Sequence, residues 1–478
     1  MQMPDGLGPI HIIGIGGIGM SAIAEILHAR GFTVQGSDQK DSANVRRLRD
    51  KGIRVFVGHD GVNLVGARFV VISTAVKDTN PELSAAREKG LPIIRRAEML
   101  SELMRLYRTI SITGTHGKTT TTSLVAHIFE KALADPTVIT GGIINDWGSN
   151  ARLGKSDWMI VEADESDGTF EKIPTEIGVV TNIDPEHLDY FGSVQAMHAG
   201  YERFFRNIPF YGLTVACTDH PVVAGMIDQL GLRRDGRRLI SYGADGPADV
   251  RLTDVSVRGQ ATFFSADVSD TVVGGRRRIG SWVVPLPGAH IALNALAAFI
   301  VATEAGIPDK TIRDAMASFS GVKRRFQKTG TVDGVTIYDD YGHHPVEIAA
   351  VLKAAREGAT GRVIAVVEPH RYSRVKALFN DFCACMDDAD GIVVAPLYSA
   401  GESPMEGISH HSLARALHGA GRENVLVADD PKDLAPLVSR LAQDGDIVIF
   451  FGAGHSTEWA HTMPDDLARV RGGLQQSA

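Results

Sequence analysis

Short apolar runs separated by longer mixed stretches recur along the whole chain. "IHIIGIG", "TVQGSD", "RVFVG", "FVVISTA" and "LPIIRR" come first, with helical stretches between them. This rhythm predicts βαβ units on a parallel sheet, because strands buried on both faces carry continuous apolar runs. The helix-like "RAEMLSELMRLY" closes the block. A second alternation opens at "RTISITG" and continues through "WMIVEAD", "IGVVTNI" and "LTVACTD". From Arg233 to Pro287 the texture changes. "DVRLTDVSVRGQATFFSADV" alternates with period two and leads to "GSWVVPLPG", which predicts a small antiparallel insertion beside the main sheet. "HIALNALAAFIVATEAG" predicts a buried helix ended by Gly306. A third alternation begins near Gly321, with strand candidates "VTIYDDY", "RVIAVVEP", "GIVVAPLY", "NVLVAD" and "DIVIFFGAG". The expected architecture is therefore α/β in three domains, at 1–107, 108–321 and 322–478. The terminal "RGGLQQSA" is expected to fray.

Composition narrows the function classes. A chain of 478 residues suits two to four domains. Hydrophobic residues are 44% and charged residues 22%, as in a globular protein with sizeable cores. The net charge of −8 argues against general nucleic-acid or membrane-surface binding. No leader-like segment and no apolar run of about 20 residues is present, so no membrane insertion is expected. The three cysteines, Cys217, Cys383 and Cys385, suit reduced thiols in a cytoplasm. Cys383 and Cys385 read as ordinary helix residues.

Two glycine-rich turns raise a question of economy. Gly14, Gly16, Gly17 and Gly19 fit GxGxxG between a strand and a helix, where backbone N–H groups approach a pyrophosphate. Asp38 ends the next strand, where a ribose-binding acid belongs. A dinucleotide, a nucleotide sugar and a bare tight turn all fit this pattern. The second turn, Gly114, Thr115, His116, Gly117, Lys118, Thr119, opens a helix after a strand. It is one residue pattern short of the common P-loop, with Ile112 where the first glycine belongs. Its amides would cradle phosphate, Lys118 would neutralise charge, and Thr119 would meet Mg²⁺. A lysine placed on exposed phosphate is expected to be dispensable for folding.

Candidate acids follow on the next strands. "VEADESD" supplies Glu162, Asp164, Glu165 and Asp167, of which a hard cation needs only one or two; the others suit a solvated turn. "NIDPEHLD" places His187 and Asp189 at a strand's C-terminal end. "GVKRRFQ" gathers Lys323, Arg324 and Arg325, either a basic linker or a charge clamp for phosphoryl transfer. "YDDYGHHP" brings Asp339, Asp340, Tyr341, His343 and His344. "PHRYSR" brings His370, Arg371 and Arg374, whose arginines at three-residue spacing can share a helix face and clamp an anion. A zinc site from these histidines is weakly supported, with no cysteine beside them and no HExxH.

Taken together, "GIGGIGMSA", "GTHGKTTTT", "VEADESD", "NIDPEHLD", "GVKRRFQ", "DDYGHHP" and "PHRYSR" resemble the Mur ligases of peptidoglycan synthesis, and most the branch that adds L-alanine. The motifs lie in family order from about residue 10 to 455. The resemblance implies a Rossmann-like UDP-sugar domain, a central P-loop ATPase-type domain and a C-terminal Rossmann-like domain for the amino acid. It implies ATP and Mg²⁺ as cofactors, UDP-N-acetylmuramate and L-alanine as substrates, and a cytoplasmic monomer or weak homodimer. Gly14, Gly16, Gly17 and Gly19 would hold the UDP-sugar, with Ser37, Asp38 and Ser73 nearby. Gly114, Thr115, His116, Gly117, Lys118, Thr119, Thr120 and Asn294 would bind ATP, joined by Arg325 and Asp340 from a closing third domain. Thr119, Glu162 and His187 would hold metal. Tyr341, His343, Arg371 and Arg374 would hold alanine and the muramoyl carboxylate, with Lys118, His187, Arg325 and His343 catalytic.

Two departures stand out. The family pattern GxHNxxNA has Ile291 in place of its first asparagine. No lysine occurs between Lys172 and Lys310, so the carbamylated lysine of several members cannot form there, and any second Mg²⁺ would lean on substrate phosphate, His187 or another acid such as Glu202. Rival readings are a family member that adds a tripeptide to the same sugar nucleotide, an NAD-dependent dehydrogenase built on GIGGIG and Asp38, and a nucleotide-sensing module without chemistry.

Overall fold

The computed structural model describes residues 8–73 and 75–476. These fall into two compact units. One lies within Met1–Thr253, Ser265–Gly280 and Leu293–Phe319, the other within Asp254–Phe264, Ser281–Ala292 and Ser320–Ala478.

In the first unit, the N-terminal apolar runs become five parallel strands. Their order across the sheet is Arg54–Val57, Val34–Asp38, Ile10–Ile13, Phe69–Ile72, Ile93–Arg95. Ile10–Ile13 is buried along its whole length, as an unbroken apolar run between neighbours on both sides must be. The chain order reverses beside it, so Gly14 leaves the sheet at the switch point, where open α/β sheets form a ligand crevice. The following helices are capped locally. Ser42 accepts from the Val45 N–H, and Asn80 from those of Glu82 and Leu83.

The second sheet of this unit carries the P-loop strand, Arg108–Thr113, at its centre. Trp158–Glu162 pairs parallel on one side with Ile112 opposite Glu162; Ile177–Val180 pairs parallel on the other with Thr113 opposite Val180. That register delivers the acid and the 181–184 segment to the two flanks of one loop. Leu213–Cys217 and Arg238–Gly243 extend the sheet in parallel, and Val250–Arg258 begins parallel to the latter. The segment expected as an antiparallel insertion joins this sheet by that short parallel pairing and then continues as neighbouring strands, Val250–Arg258, Ala261–Val268 and Arg277–Val284, where the two-residue link at 259–260 makes the first pair antiparallel as expected. Its period-two pattern does hold: along Ala261–Val268 alternate residues are buried. An antiparallel pair occurs at the other edge, between Thr137–Ile144 and Ser149–Arg152. Phe170, Tyr201, Phe204 and Phe205 are buried in the core of this unit.

The second unit contains a six-stranded sheet in the order Gln327–Val332, Val335–Asp340, Ile447–Phe451, Val363–Val367, Gly391–Val394, Val425–Val427. Only the first pair is antiparallel. The tail expected to fray instead continues the helix Ser456–Gln476, and residues 477–478 lie outside the described ones. All three cysteines are free thiols. Among the described residues no helix is long and apolar enough to cross a membrane.

Candidate functional site

The first glycine turn is built to expose its backbone. Gly14 has φ +74°, a conformation that favours glycine, and its N–H donates to Ser37 O. Gly16 N–H donates to Asp38 Oδ2 at 2.9 Å, so the acid expected at a ribose also holds the turn. A cavity of about 950 Å³ opens in front, lined by Gly14, Gly17, Gly19, Asp38, Ser73 and Arg96 among others. That volume suits a nucleotide-sized ligand. Gly16 does not line it; its absent side chain makes room for Asp38 and Val45, which a Cβ would meet at 2.9 Å. Ser37 does not line it either. Its fully buried hydroxyl donates to Glu82 and lies 2.9 Å from His59 Nδ1. The expectation that Ser37 contacts a nucleoside is corrected by this: its side chain points into a buried polar network with His11 and Asn63. Glu82 keeps its charge there, its carboxyl held down to about 2 by these hydrogen bonds against the opposing cost of burial.

Arg96 was not anticipated. It opens the helix Arg96–Met104 and donates to Asp167 Oδ2 at 2.6 Å, with Asp164 at 3.7 Å. A Cβ on Gly19 would come within 2.6 Å of its Nη1, so Gly19 makes room for this cation. Asp164 and Asp167, two acids that could have formed a solvated turn, thus stand on the cavity wall.

The second turn is held more tightly. Gly114 has φ +128°, and a Cβ there would lie 2.1 Å from Thr181 Oγ1 and 2.9–3.0 Å from the Asn182 backbone. Gly117 has φ +82° and abuts Asn294, whose Oδ1 a Cβ would meet at 2.7 Å. Asn294 therefore stands against the loop. His116 N–H donates to Asn182 Oδ1 at 2.7 Å, and its ring lies 3.3 Å from Asp184. The imidazoles of His116 and His220 hold the Asp184 carboxyl well below the usual carboxylate range. Thr115 Oγ1 exchanges hydrogen bonds with the Asp184 backbone. Thr119 and Thr120 start the helix Lys118–Lys131, both buried.

Lys118 lies at the centre. Its Nζ donates to Gly114 O at 2.6 Å, Thr115 O at 3.0 Å and Glu165 Oε1 at 2.8 Å. Burial opposes its charge, but Glu165, Asp164 and Glu162 outweigh that and hold it protonated beyond the ordinary lysine range. The acids form two groups around it. Thr119 Oγ1 donates to Glu162 Oε1 at 3.0 Å, and Glu162 Oε2 accepts from Thr140 Oγ1 and Gly141 N–H. Glu165, Glu186 and His187 have ligand atoms within 4.8 Å of one another. His187 was expected beside Thr119 and Glu162; the structure sets it 3.6 Å from Glu165. Glu165 is 2% exposed, and burial pushes its carboxyl up to about 7 against the pull of Lys118. Its Oε2 is buried without a hydrogen-bond partner. An orphaned carboxylate oxygen amid hard oxygen donors fits Mg²⁺, which prefers such ligands. Glu202, considered as a substitute acid, is paired with Arg206 on an exposed helix turn. The Asp189 side chain lies outside the described residues.

The second unit carries its own cluster at the C-terminal ends of its strands. Arg324 and Arg325 lie 4.6 and 5.3 Å from the Tyr341 ring centre, and Arg325 is 3.7 Å from Glu347. Asp340 is 3% exposed and accepts backbone N–H groups with both oxygens, from Phe326 at 2.8 Å and Gly342 at 2.7 Å. Both oxygens thus help shape the loops, and burial pushes its carboxyl up to about 6 against the pull of Arg325. His343 Nδ1 lies 3.0 Å from Tyr341 O, which suits an Nδ1–H donor. Arg374 Nη1 donates to His370 Nδ1 at 3.1 Å, so His370 is neutral with its proton on Nε2. Burial, with His343, Arg374 and Arg371, pushes His370 down to about 3. Arg371 does not share a helix face with Arg374. It precedes the helix Tyr372–Ala377 at φ +65°, its N–H donating to Tyr398 O at 2.8 Å.

This geometry has relatives. Residues 9–108 match the model described as Mur ligase family, catalytic domain; 112–302 match the Mur ligase middle domain; 324–454 match the Mur ligase, glutamate ligase domain. A UDP-N-acetylmuramate–L-alanine ligase of Methylobacterium radiotolerans is 55% identical over 467 residues, 98% of this chain and 99% of that protein. One of Mesorhizobium japonicum is 53% identical over 98% of this chain and all of its own length. The crystal structure of the UDP-N-acetylmuramate–alanine ligase of Thermotoga maritima superimposes with a TM-score of 0.81 at 26% identity, covering 98% of this chain and 100% of that one. A murein peptide ligase of Psychrobacter arcticus shares the fold, with a TM-score of 0.70 at 22% identity over 96% of this chain and 99% of its own. With all three segments matched in order and full-length identity above half, the chain belongs to the Mur ligase family.

Proposed function

We propose that the chain joins L-alanine to the carboxylate of UDP-N-acetylmuramate with hydrolysis of ATP to ADP and phosphate, a step of peptidoglycan synthesis in the cytoplasm. The observation that carries this reading is the Lys118, Thr119, Glu162, Glu165 constellation in a chain 55% identical, over nearly its whole length, to a relative bearing that name. The proposed division of labour follows the segments 1–107 for the UDP-sugar, 108–321 for ATP and 322–478 for the amino acid, in a monomer or weak homodimer.

A carboxylate resists attack by an amine because oxide is a poor leaving group. Phosphorylation solves this. A carboxylate oxygen bonds to the γ-phosphorus as the bond to ADP breaks, giving an acyl phosphate. The alanine amine then bonds to the acyl carbon, and the tetrahedral intermediate expels phosphate with that oxygen. The proton lost from nitrogen passes to a base or water. Lys118 serves by charge: three acids hold it protonated, so it can meet phosphate oxygens. Gly114 and Gly117 leave the loop's amides uncovered for phosphate. When bound, Mg²⁺ would neutralise phosphate charge, held by Thr119 and Glu162 and, for a second ion, by His187, Glu165 and Glu186. In the second unit His370 presents Nε2–H, and Arg371 and Arg374 supply positive charge suited to a carboxylate.

Family membership removes hydride transfer as the role of GIGGIG. The test that separates the remaining readings is phosphate release with ATP, Mg²⁺ and UDP-N-acetylmuramate, adding L-alanine or the tripeptide. Release that depends on L-alanine supports the proposal. Release only with the tripeptide replaces it by the recycling reaction, and release with neither rejects ligation.

A further inference from the structure

In the second unit, two imidazoles and a carboxylate converge at a place the ligase reaction does not use. The helix His410–Gly419 begins with His410 and His411, and Asp429 follows the edge strand Val425–Val427. His411 Nε2 lies 2.8 Å and His410 Nε2 3.5 Å from the same oxygen, Asp429 Oδ1. Donors about 2.0–2.1 Å from one ion sit roughly 2.9 Å apart at a right angle and roughly 3.4 Å apart at the tetrahedral angle. Both separations are already present.

The backbone on each side is fixed. Ser409 caps the helix by accepting from Ser412 N–H. Ala428 N–H donates to Val394 O, and Asp430 N–H to Asp433 Oδ2. His410 Nε2 is buried and makes no hydrogen bond, whereas His411 and Asp429 are half and mostly exposed, leaving an open side. A buried nitrogen whose acid neighbour stands at 3.5 Å, too far for a good hydrogen bond, is better satisfied by an ion between the three donors. Two neutral imidazoles with one carboxylate select Zn²⁺, Ni²⁺ or Co²⁺ over Mg²⁺.

We propose that His410, His411 and Asp429 bind a divalent transition-metal ion, separate from the nucleotide's metal, that pins the chain segment leading into this helix. That segment carries Tyr398, which stacks on His370, and Glu402, which accepts from Ser373. Its C-terminal end is what the ion would hold.

The test is a Zn²⁺ titration by calorimetry of the chelator-stripped full chain in excess Mg²⁺, with Co²⁺ absorbance as a second readout. One Zn²⁺ should bind to the wild type and to His187→Ala, and on the order of tenfold or more weaker to His411→Ala and Asp429→Asn. Zn²⁺ should slow proteolysis within 399–408 in the wild type and not in His411→Ala. Both substituted residues are exposed, so their variants should fold, and melting curves check this. Equal Zn²⁺ affinity in wild type, His411→Ala and Asp429→Asn overturns the proposal, as does loss of the site in His187→Ala.

Discussion

Lys118 is held by the fold as well as by the chemistry. The sequence places it on exposed phosphate, where its removal would spare stability. The structure pairs it instead with Glu165, a carboxylate only 2% exposed. Lys118→Ala leaves that acid buried without its cation, a defect that typically costs about 3 kcal/mol. The sign with pH follows from Glu165, whose folded value is raised to about 7 and would rise further without Lys118. A raised carboxyl contributes stability that is complete below its unfolded value and lost as pH rises through its folded one. Lys118→Ala should therefore melt well below wild type at pH 8 and closer to it at pH 6, and Lys118→Ala/Glu165→Gln should recover much of the gap. Equal melting of wild type and Lys118→Ala at pH 8 would refute the pairing. The spacing of GTHGKTTTT and VEADESD made Lys118, Thr119 and Glu162 legible. Burial is not a spacing, which is why Glu165 could not be singled out from its neighbours, Ser37 could not be seen to face inward, and Arg96 was missed.

At the scale of elements, the two glycine turns differ in how much side chain they tolerate. Gly114 combines φ +128° with a Cβ position 2.1 Å from Thr181 Oγ1. Gly17 has φ −61° and meets nothing closer than Gly14 O at 3.3 Å. Gly17→Ala should leave the melting temperature nearly unchanged while weakening UDP-sugar binding and sparing ATP affinity. Gly114→Ala should lower both melting temperature and ATP affinity. Calorimetric titration of each ligand checks the pair, and equal losses of both ligands in Gly17→Ala would mean the turns are wrongly assigned. The strand-end loops of the second unit give a pH dependence. His370 is held neutral down to about 3, so on acidification the unfolded chain takes up a proton near its ordinary value of about 6.5 that the fold refuses. Stability against urea should fall as pH drops below about 6.5, and His370→Gln should flatten the decline. Strands were legible because buried parallel strands are continuous apolar runs. The 250–258 segment was legible as the start of an antiparallel insertion, but its short parallel pairing with Arg238–Gly243 was not, since alternation reports exposure of one face and says nothing of direction. Arg371 was placed on a helix face because residue spacing carries no information about φ, and its left-handed backbone precedes the helix.

On the scale of the whole molecule, three rhythms of βαβ were legible and match three family segments in order. Their grouping into two compact units was not, because contacts between segments leave no period in the sequence. Each unit carries a different part of the proposed chemistry, and Arg374 tests that division. It belongs to the second unit, whereas the P-loop belongs to the first. ATP affinity in Arg374→Ala should therefore equal that of wild type by calorimetry, while ligation falls on the order of a hundredfold, the ~3 kcal/mol of a lost charge-assisted contact. Two roles would give that fall. Arg374 could grip a substrate carboxylate with its planar fork, or it could act only through His370, to which it donates at 3.1 Å. Lysine distinguishes them. A single ammonium can donate one hydrogen bond to Nδ1 but cannot reproduce a bidentate fork. Arg374→Lys should stay as slow as Arg374→Ala, with the KM for one carboxylate substrate raised, if the fork binds substrate. Recovery of the rate by lysine would make Arg374 a positioning residue for His370. Loss of ATP affinity with a normal rate at saturating ATP would move it to the nucleotide and end the proposed division.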